Sequence, residues 1–230
     1  GMAEVFRAHK HGEETTVFLK RVRAQSGASD KAALERELGI YQKLSQMETT
    51  HVLQVLDHIR DENHIAIVTE FADGGDLKDF VEDISPNGLS VAFARDIGLA
   101  IARGLEELHG VDIVHRDLKP RNVLKHGDNW MIADFGISKN LSRLGTQKTF
   151  QQYGTLGYAA PEQFDGVEAR PSADIYSLGK ILVFLLSGQT DVDHITYPAW
   201  RDLIKRCVST TPDKRPPLSE VIESMETMPK

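Results

Sequence analysis

The chain carries three polar residues whose types and spacing suit acid–base and metal chemistry. Asp117 lies five residues before Asn122, and Asp134 follows Asn122 by twelve. A carboxylate can accept the proton of a hydroxyl, while a carboxamide and a second carboxylate supply the oxygen ligands that Mg²⁺ prefers. Phosphoryl transfer needs little more than such positioning and charge neutralisation, so this spacing indicates that reaction class.

The surrounding residues resemble the signature motifs of protein kinases. Residues 115–122 read His-Arg-Asp-Leu-Lys-Pro-Arg-Asn, which matches the catalytic loop H-R-D-x-x-x-x-N, and residues 134–136 read Asp-Phe-Gly. Residues 160–162, Ala-Pro-Glu, follow in the family's order. Three ordered motifs are far more specific than any one alone. The chain thus resembles a eukaryotic-type (Hanks-type) serine/threonine protein kinase over nearly its whole length. The glutamine at position 163, directly after Ala-Pro-Glu, resembles the sequence of bacterial members of the family.

The resemblance implies a chemical role for four residues of the first two motifs. Asp117 would be the catalytic base, and Lys119 would balance charge on the migrating phosphoryl group. Asn122 and Asp134 would hold Mg²⁺ between the phosphates of ATP. Taken one at a time, such acid and amide side chains are also common in turns and caps, and only the ordered motifs favour the catalytic interpretation.

The resemblance also implies a phosphate-binding lysine in an early strand. Lys20 fits the lysine that contacts the α- and β-phosphates of ATP, and Glu37 on the next helix would be its partner, with Glu35 as second choice. On their own, these charged side chains would be interpreted as a solvated surface. The downstream motifs favour the functional interpretation.

The adenine and ribose of the nucleotide would meet residues near the middle of the chain. By the resemblance, Thr69 is the gatekeeper, and backbone groups of Glu70 and Ala72 meet the adenine edge. Leu124 would form the floor beneath the adenine. Asp76 falls where family members often contact the ribose or the substrate, although a helix-capping aspartate is an equally good interpretation.

Residues 134–162 resemble an activation segment. Thr155 fits the threonine whose hydroxyl bridges the base and the catalytic-loop lysine, and Thr149 is the favoured phosphorylation site by its distance from Thr155. Arg116, beside the base, suggests control by a loop phosphate because a guanidinium grips phosphate bidentately. The other candidate phosphorylation sites are Thr146 and Ser142.

Two further contacts are predicted to support the scaffold and not the chemistry. By the resemblance, Asp174 would brace the catalytic loop from a helix that is apolar nearly all round. Glu162 would pair with Arg215. Both contacts would join segments that are far apart in the sequence.

The hydrophobic pattern predicts an α+β fold in two lobes, together forming one kinase domain. Residues 1–72 would form a small antiparallel-sheet N-lobe with one main helix and the hinge, and residues 73–230 a mostly helical C-lobe, with the break at Asp73-Gly74-Gly75. Ser90 would cap a helix that ends near Gly110. The predicted strands are 5–8, 16–22, 52–59 and 65–71, and the other predicted helices are 32–44, 174–186, 200–208 and 218–225.

Three features depart from the family pattern. The glycine-rich loop that covers the phosphates would align at and before Ala3, so the first strand has been cut away or is natively missing. Phe18 stands where a small alanine normally lies and would crowd the adenine. Only twelve residues separate Gly188 from Arg201, where relatives place an additional helix and long loops.

Composition narrows the class of protein. The 230 residues are 40% hydrophobic and 27% charged, with a net charge of -7, which disfavours a nucleic-acid or anionic-membrane partner. No apolar stretch is long enough to span a bilayer. The single Cys207 excludes an internal disulfide and favours a cytoplasmic location. The oligomeric state is not predicted.

Three functions are weighed on these observations. The first is a serine/threonine protein kinase that depends on ATP and Mg²⁺ and acts on protein hydroxyls. The second is a pseudokinase or regulatory scaffold with weak or no nucleotide binding, which the missing loop and Phe18 motivate. The third is a kinase-like small-molecule phosphotransferase. The resemblance disfavours it, because such enzymes generally lack the Lys119-Pro120 form and the Ala-Pro-Glu segment at 160–162, which serve peptide substrates.

Overall fold

The fold joins an antiparallel sheet to a group of helices, which confirms the α+β prediction. The computed structural model describes residues 4–9, 12, 15–23, 38–60, 64–134, 157–164 and 170–228. A four-stranded sheet forms the N-terminal part, and a two-stranded sheet lies among the helices of the C-terminal part. No helix in these ranges is long and apolar enough to cross a membrane.

The N-terminal sheet has the strand order β1-β2-β4-β3, with every neighbouring pair antiparallel. The predicted strand at 52–59 begins later than expected. Val52 forms a bridge with Ile132 in the C-terminal part, and the N–H of Leu53 donates to the carbonyl of Ile132 (2.8 Å), so this backbone is already paired elsewhere. The elements are β1 (Glu4–His9), β2 (Thr16–Arg23), α1 (helical over 38–45), β3 (Val55–Arg60) and β4 (His64–Glu70).

Helices dominate the C-terminal part, as predicted. The Ser90 side chain accepts from the N–H of Phe93, and the helix that it caps ends at Gly110. A short hairpin, β5–β6, was not predicted. The elements are α2 (Leu77–Ile84), α3 (Val91–His109), β5 (Val123–His126), β6 (Asn129–Ile132), α4 (Pro171–Ser187), α5 (Pro198–Cys207) and α6 (Leu218–Thr227).

The central helix α4 organises the core. Its apolar side chains point in all directions and pack against both α3 and α5. Leu105 on α3 and Leu178 on α4 are fully buried. The same hydrophobic cluster continues through Val52 to α1 and the sheet, where Leu44 on α1 and Ile65 on β4 are 1% exposed. The segments that carry the site residues therefore rest on one continuous core.

Gly188 is predicted to be irreplaceable at the end of α4. It has a φ of 68°, and a Cβ built there would lie 1.9 Å from the carbonyl oxygen of Pro86. Substitution by alanine should cost the left-handed penalty of about 1 kcal/mol and a further backbone shift, so we expect a loss of more than about 3 kcal/mol in the free energy of unfolding. Urea unfolding followed by circular dichroism measures it.

Gly127 provides a matched control for that substitution. It also has a positive φ, 57°, but a Cβ there would meet no atom within 4 Å. Gly127→Ala should therefore lose only about 1 kcal/mol. Similar losses for Gly188→Ala and Gly127→Ala would show that the close approach to Pro86 does not matter.

Candidate active site

The catalytic loop is held by a carboxylate buried at the start of α4. Asp174 is 0% exposed, and its two oxygens accept the backbone N–H groups of His115 (2.8 Å) and Arg116 (2.9 Å). Its Oδ2 also lies 2.9 Å from Nε2 of His109. Two parallel bonds from one carboxylate fix the direction of two successive peptides. The predicted bracing role of Asp174 is confirmed.

Arg116 has an uncommon backbone conformation for a residue with a side chain. Its φ is 67°, in the left-handed region, where such a residue is strained. Its carbonyl oxygen accepts a hydrogen bond from Nε2 of Gln163 (2.8 Å), across a sequence separation of 47 residues. This contact could not be predicted from the sequence, because neither residue type requires the other.

Asp117 lies directly after this strained residue and close to two other predicted site residues. It is 8% exposed, and Nζ of Lys119 lies 3.2 Å from its Oδ2. The turn Pro120–Asn122 brings the amide of Asn122 back, so that its Nδ2 donates to the carbonyl of Asp117 (2.8 Å) and lies 3.4 Å from Oδ2. The predicted base, lysine and amide therefore form one contiguous group.

The hairpin β5–β6 brings Asp134 to the same place. Val123 pairs with Ile132, and the ladder continues where the N–H of Ala133 donates to the carbonyl of Asn122 (2.8 Å). Asp134 is the next residue, with a φ of 54°. Because the Nδ2 of Asn122 is used by Asp117, its Oδ1 is left over, and no hydrogen bond among the described residues uses it.

Lys20 reaches this group from strand β2. Its Nζ forms an ion pair with Oδ1 of Asp134, with the two side chains 21% and 47% exposed. The contact ties the N-terminal sheet to the segment that follows β6. Glu37 and Glu35, the predicted partners of Lys20, lie outside the described residues, so their pairing stays a prediction.

The residues predicted to meet the adenine line one region between β4 and β5. The Thr69 hydroxyl donates to the carbonyl of Glu70 (2.9 Å). In the described part of the chain, no hydrogen bond uses the N–H of Ala72. Leu124 and Ala72 both pack against a small buried cluster that consists of Leu53, Met131 and Ala133. Phe18 is partly buried and lies opposite Thr69 in the β2–β4 pairing.

Asp76 has the capping role that was one of its two interpretations. Its Oδ1 accepts the N–H of Asp79 at the start of α2, and its Oδ2 lies 2.9 Å from Nη1 of Arg121. Arg121 also contacts Asp79 at 3.1 Å, so it links the catalytic loop to α2. A contact between Asp76 and a ribose or substrate remains a prediction.

Glu162 and Arg215 form the predicted scaffold pair. Two nitrogens of Arg215 lie 2.6 and 2.8 Å from the two oxygens of Glu162, and the Arg215 side chain is 0% exposed. The guanidinium also donates to the carbonyls of Ser172 and Ser209. Burial alone would raise the pKa of Glu162, but the hydrogen bonds from Arg215, a backbone hydrogen bond and the charge of Arg215 outweigh burial and lower that pKa.

Of the residues predicted to be regulatory, only Arg116 lies in the part of the chain that the structure describes. Thr149 and Thr155 lie outside the described residues, as do the alternatives Thr146 and Ser142. The regulatory roles of Arg116, Thr149 and Thr155 stay predictions.

The lowered pKa of Glu162 predicts a stability contribution that is lost in acid. A carboxylate with a lowered pKa in the folded state stabilises the protein above its unfolded pKa, about 4.3, and this contribution disappears as the pH falls through the folded value. Glu162→Gln should lose about 1–3 kcal/mol at pH 7, and the difference from the parent should shrink below about pH 4. Urea unfolding across this pH range measures both quantities.

Glu226→Gln is the control for that pair. Glu226 contacts Arg103 at 3.0 Å, but both side chains are about half exposed, and exposed pairs contribute little. Its loss should be below about 1 kcal/mol. A pH-independent loss at Glu162, or equal losses at both sites, would contradict the prediction.

Comparisons with known proteins agree with this geometry. The protein kinase domain family matches residues 1–198. The chain is 31% identical over 194 residues to the serine/threonine-protein kinase PrkC of Bacillus subtilis, covering 84% of this chain and 30% of PrkC. It is 27% identical over 252 residues to the serine/threonine-protein kinase VIK of Arabidopsis thaliana, covering 97% of this chain and 56% of VIK.

A solved structure shows the same fold. The PknI kinase domain of Mycobacterium tuberculosis superposes with a TM-score of 0.76 and 25% identity, covering 98% of this chain and 90% of that chain. The chain spans only 56% of the length of VIK and 30% of the length of PrkC. The family match covers most of its 230 residues, and the chain therefore belongs to the protein kinase domain family.

Proposed function

We propose that this chain is an ATP- and Mg²⁺-dependent serine/threonine protein kinase domain that transfers the γ-phosphoryl group of ATP to hydroxyls of protein substrates. The observation that carries the proposal is the grouping of Asp117, Lys119 and Asn122 with the hairpin end that bears Asp134. Family membership supports it. Residues 1–72 would form the N-lobe and hinge, and residues 73–230 the C-lobe.

The oxygen atoms near the hairpin end fit a magnesium ion. The Oδ1 of Asn122 has no hydrogen-bond partner in the described ranges, and Asp134 supplies a carboxylate on the next segment. Within those ranges, no group of three or more His, Cys, Asp or Glu side chains could hold a metal ion. Mg²⁺ needs only one or two protein ligands when phosphates and water complete its shell. When bound, it would neutralise charge on the phosphates.

The protein groups divide the work of transfer between them. The Asp117 carboxylate would accept the proton of the attacking hydroxyl. The Lys119 ammonium, 3.2 Å from it, would balance charge on the phosphoryl group, and Lys20 would orient the α- and β-phosphates. The N–H of Ala72, which no hydrogen bond among the described residues uses, and the carbonyl of Glu70 would hold the adenine edge.

One observation favours the alternative of a pseudokinase or regulatory scaffold. Phe18 and Lys20 are two residues apart on β2 and therefore lie on one face of the sheet. The Phe18 ring, opposite Thr69, is next to the region proposed for the adenine. Weak nucleotide binding would favour this alternative.

A cytoplasmic location stays a prediction from the single Cys207.

Phosphate transfer from radiolabelled ATP tests the proposal directly. Asp117→Asn keeps the size of the side chain but removes the proton acceptor, so labelling of a protein substrate should fall by about 10²–10⁴-fold. The control is Asp128→Asn, the same change at an exposed residue in the β5–β6 turn, which should label like the parent. Equal labelling by Asp117→Asn and the parent, or none by the parent at saturating Mg-ATP, would defeat the enzymatic proposal.

Thermal unfolding tests nucleotide binding separately from transfer. A ligand that binds only the folded state adds about 2.7 kcal/mol at one hundred times its Kd, which for a chain of this size raises Tm by roughly 5–10 °C. Mg-ATP should produce this rise in the parent and in Asp128→Asn. Asp134→Asn should reduce it strongly because one predicted Mg²⁺ ligand is weakened. No rise in the parent would favour the scaffold alternative.

A further inference from the structure

The Gln163 side chain joins two segments that meet beside the predicted base. Its Nε2 donates to the backbone carbonyl of Arg116 (2.8 Å), and its Oε1 accepts from the backbone N–H of Ala160 (2.9 Å). Both ends of the carboxamide are thus used, one on each segment. The turn alone accounts for the bond to Ala160 but not for the bond to Arg116.

The bond to Ala160 determines which way the carboxamide points. Pro161–Phe164 is a short 3₁₀ turn, and Gln163 is its third residue. A Gln or Glu at that position commonly reaches back to accept the N–H of the residue before the first turn. With Oε1 committed to Ala160, the amino group is directed at Arg116. The hydrogen-bond network therefore fixes the orientation of the amide.

The acceptor is the strained residue that immediately precedes the base. With a φ of 67°, Arg116 requires support from its surroundings to keep this conformation. Its N–H donates to Asp174 (2.9 Å), and its carbonyl accepts from Gln163. Both backbone groups of Arg116 are therefore bonded to side chains from other segments. The orientation of the peptide between Arg116 and Asp117 sets the direction of the Asp117 carboxylate.

The segment that carries Gln163 is itself firmly anchored. The preceding residue, Glu162, makes the bidentate pair with Arg215, whose side chain is fully buried. A donor on an anchored segment can hold a loop in place, whereas a donor on a loose surface side chain would follow the loop. Gln163 thus transmits the position of the Glu162 anchor to the catalytic loop.

We infer that Gln163 is a positioning residue, whose carboxamide holds the strained Arg116 peptide and thereby aims the Asp117 carboxylate at the acceptor hydroxyl. The inference rests on the proposed kinase function and names a determinant of its rate. It also explains why an amide suits this position better than an acid. A glutamate would keep an acceptor for Ala160 but would lose the donor and turn a negative oxygen toward the Arg116 carbonyl.

Substitutions at Gln163 separate this role from simple stabilisation of the turn. Gln163→Glu keeps the bond to Ala160 and breaks the one to Arg116, while Gln163→Met removes both at similar size. Gln189→Glu makes the same change of charge at an exposed residue and is the control. All four proteins, including the parent, are compared by steady-state kinetics, thermal unfolding and hydrogen exchange.

The expected kinetic result is a split between kcat and KM. Gln163→Glu and Gln163→Met should lower kcat about tenfold or more, which corresponds to about 1.4 kcal/mol, because the Arg116 peptide that aligns the base loses its hydrogen bond from Gln163. KM for ATP should stay within about twofold of the parent because the proposed adenine contacts are untouched. Gln189→Glu should match the parent. A Gln163→Glu enzyme with unchanged kcat, whether or not its Tm falls, would overturn the inference.

Hydrogen exchange decides the inference even if the parent transfers no phosphate. That result would defeat the proposed function alone. The amides of Arg116 and Asp117 should then still exchange faster in Gln163→Glu than in the parent and Gln189→Glu, because the loop has lost one of its supports. Unchanged exchange at those two amides would show that Gln163 does not hold the loop.

Discussion

A single buried carboxylate determines the shape of the catalytic loop. Asp174 is fully removed from solvent on an otherwise apolar helix, and a charge in such a place is costly unless strong donors satisfy it. The donors are the backbone N–H groups of His115 and Arg116. Two adjacent amides can converge on one carboxylate only when the backbone turns sharply, and the φ of 67° at Arg116 accompanies that turn. The strained residue beside the predicted base is therefore one of the two residues that satisfy this charge.

The hairpin β5–β6 sets the separation of the two predicted metal ligands. Asn122 and Ala133 are opposite each other at the end of the ladder, so Asn122 and Asp134 emerge from neighbouring strand ends. A two-residue turn at Gly127 and Asp128 closes the hairpin, and its register leaves no freedom at the other end. The twelve-residue spacing seen in the sequence is therefore the length of one hairpin, and not a property of a flexible loop.

Local sequence patterns predicted most of the fold, whereas the contacts between distant segments were predicted only in part. Alternating strands, the Ser90 cap and the apolar helix α4 were predictable because each depends on neighbours in sequence. Strands β5 and β6 were missed because four residues are too few for a periodic pattern. The family resemblance supplied the contacts of Asp174 and Glu162. It did not supply the pairing of Lys20 with Asp134 or the bond from Gln163, because these depend on how two segments meet in three dimensions.

The charges of the site support the proposal that a metal ion accompanies an anionic nucleotide. The protein as a whole has a net charge of -7, which repels phosphates. In the site, each aspartate is matched by a lysine: Asp117 by Lys119 and Asp134 by Lys20. These four groups therefore sum to no net charge and cannot by themselves attract a polyphosphate strongly. A divalent cation held by Asn122 and Asp134 would add two positive charges where the phosphates lie, so nucleotide and metal are expected to bind together and not in isolation.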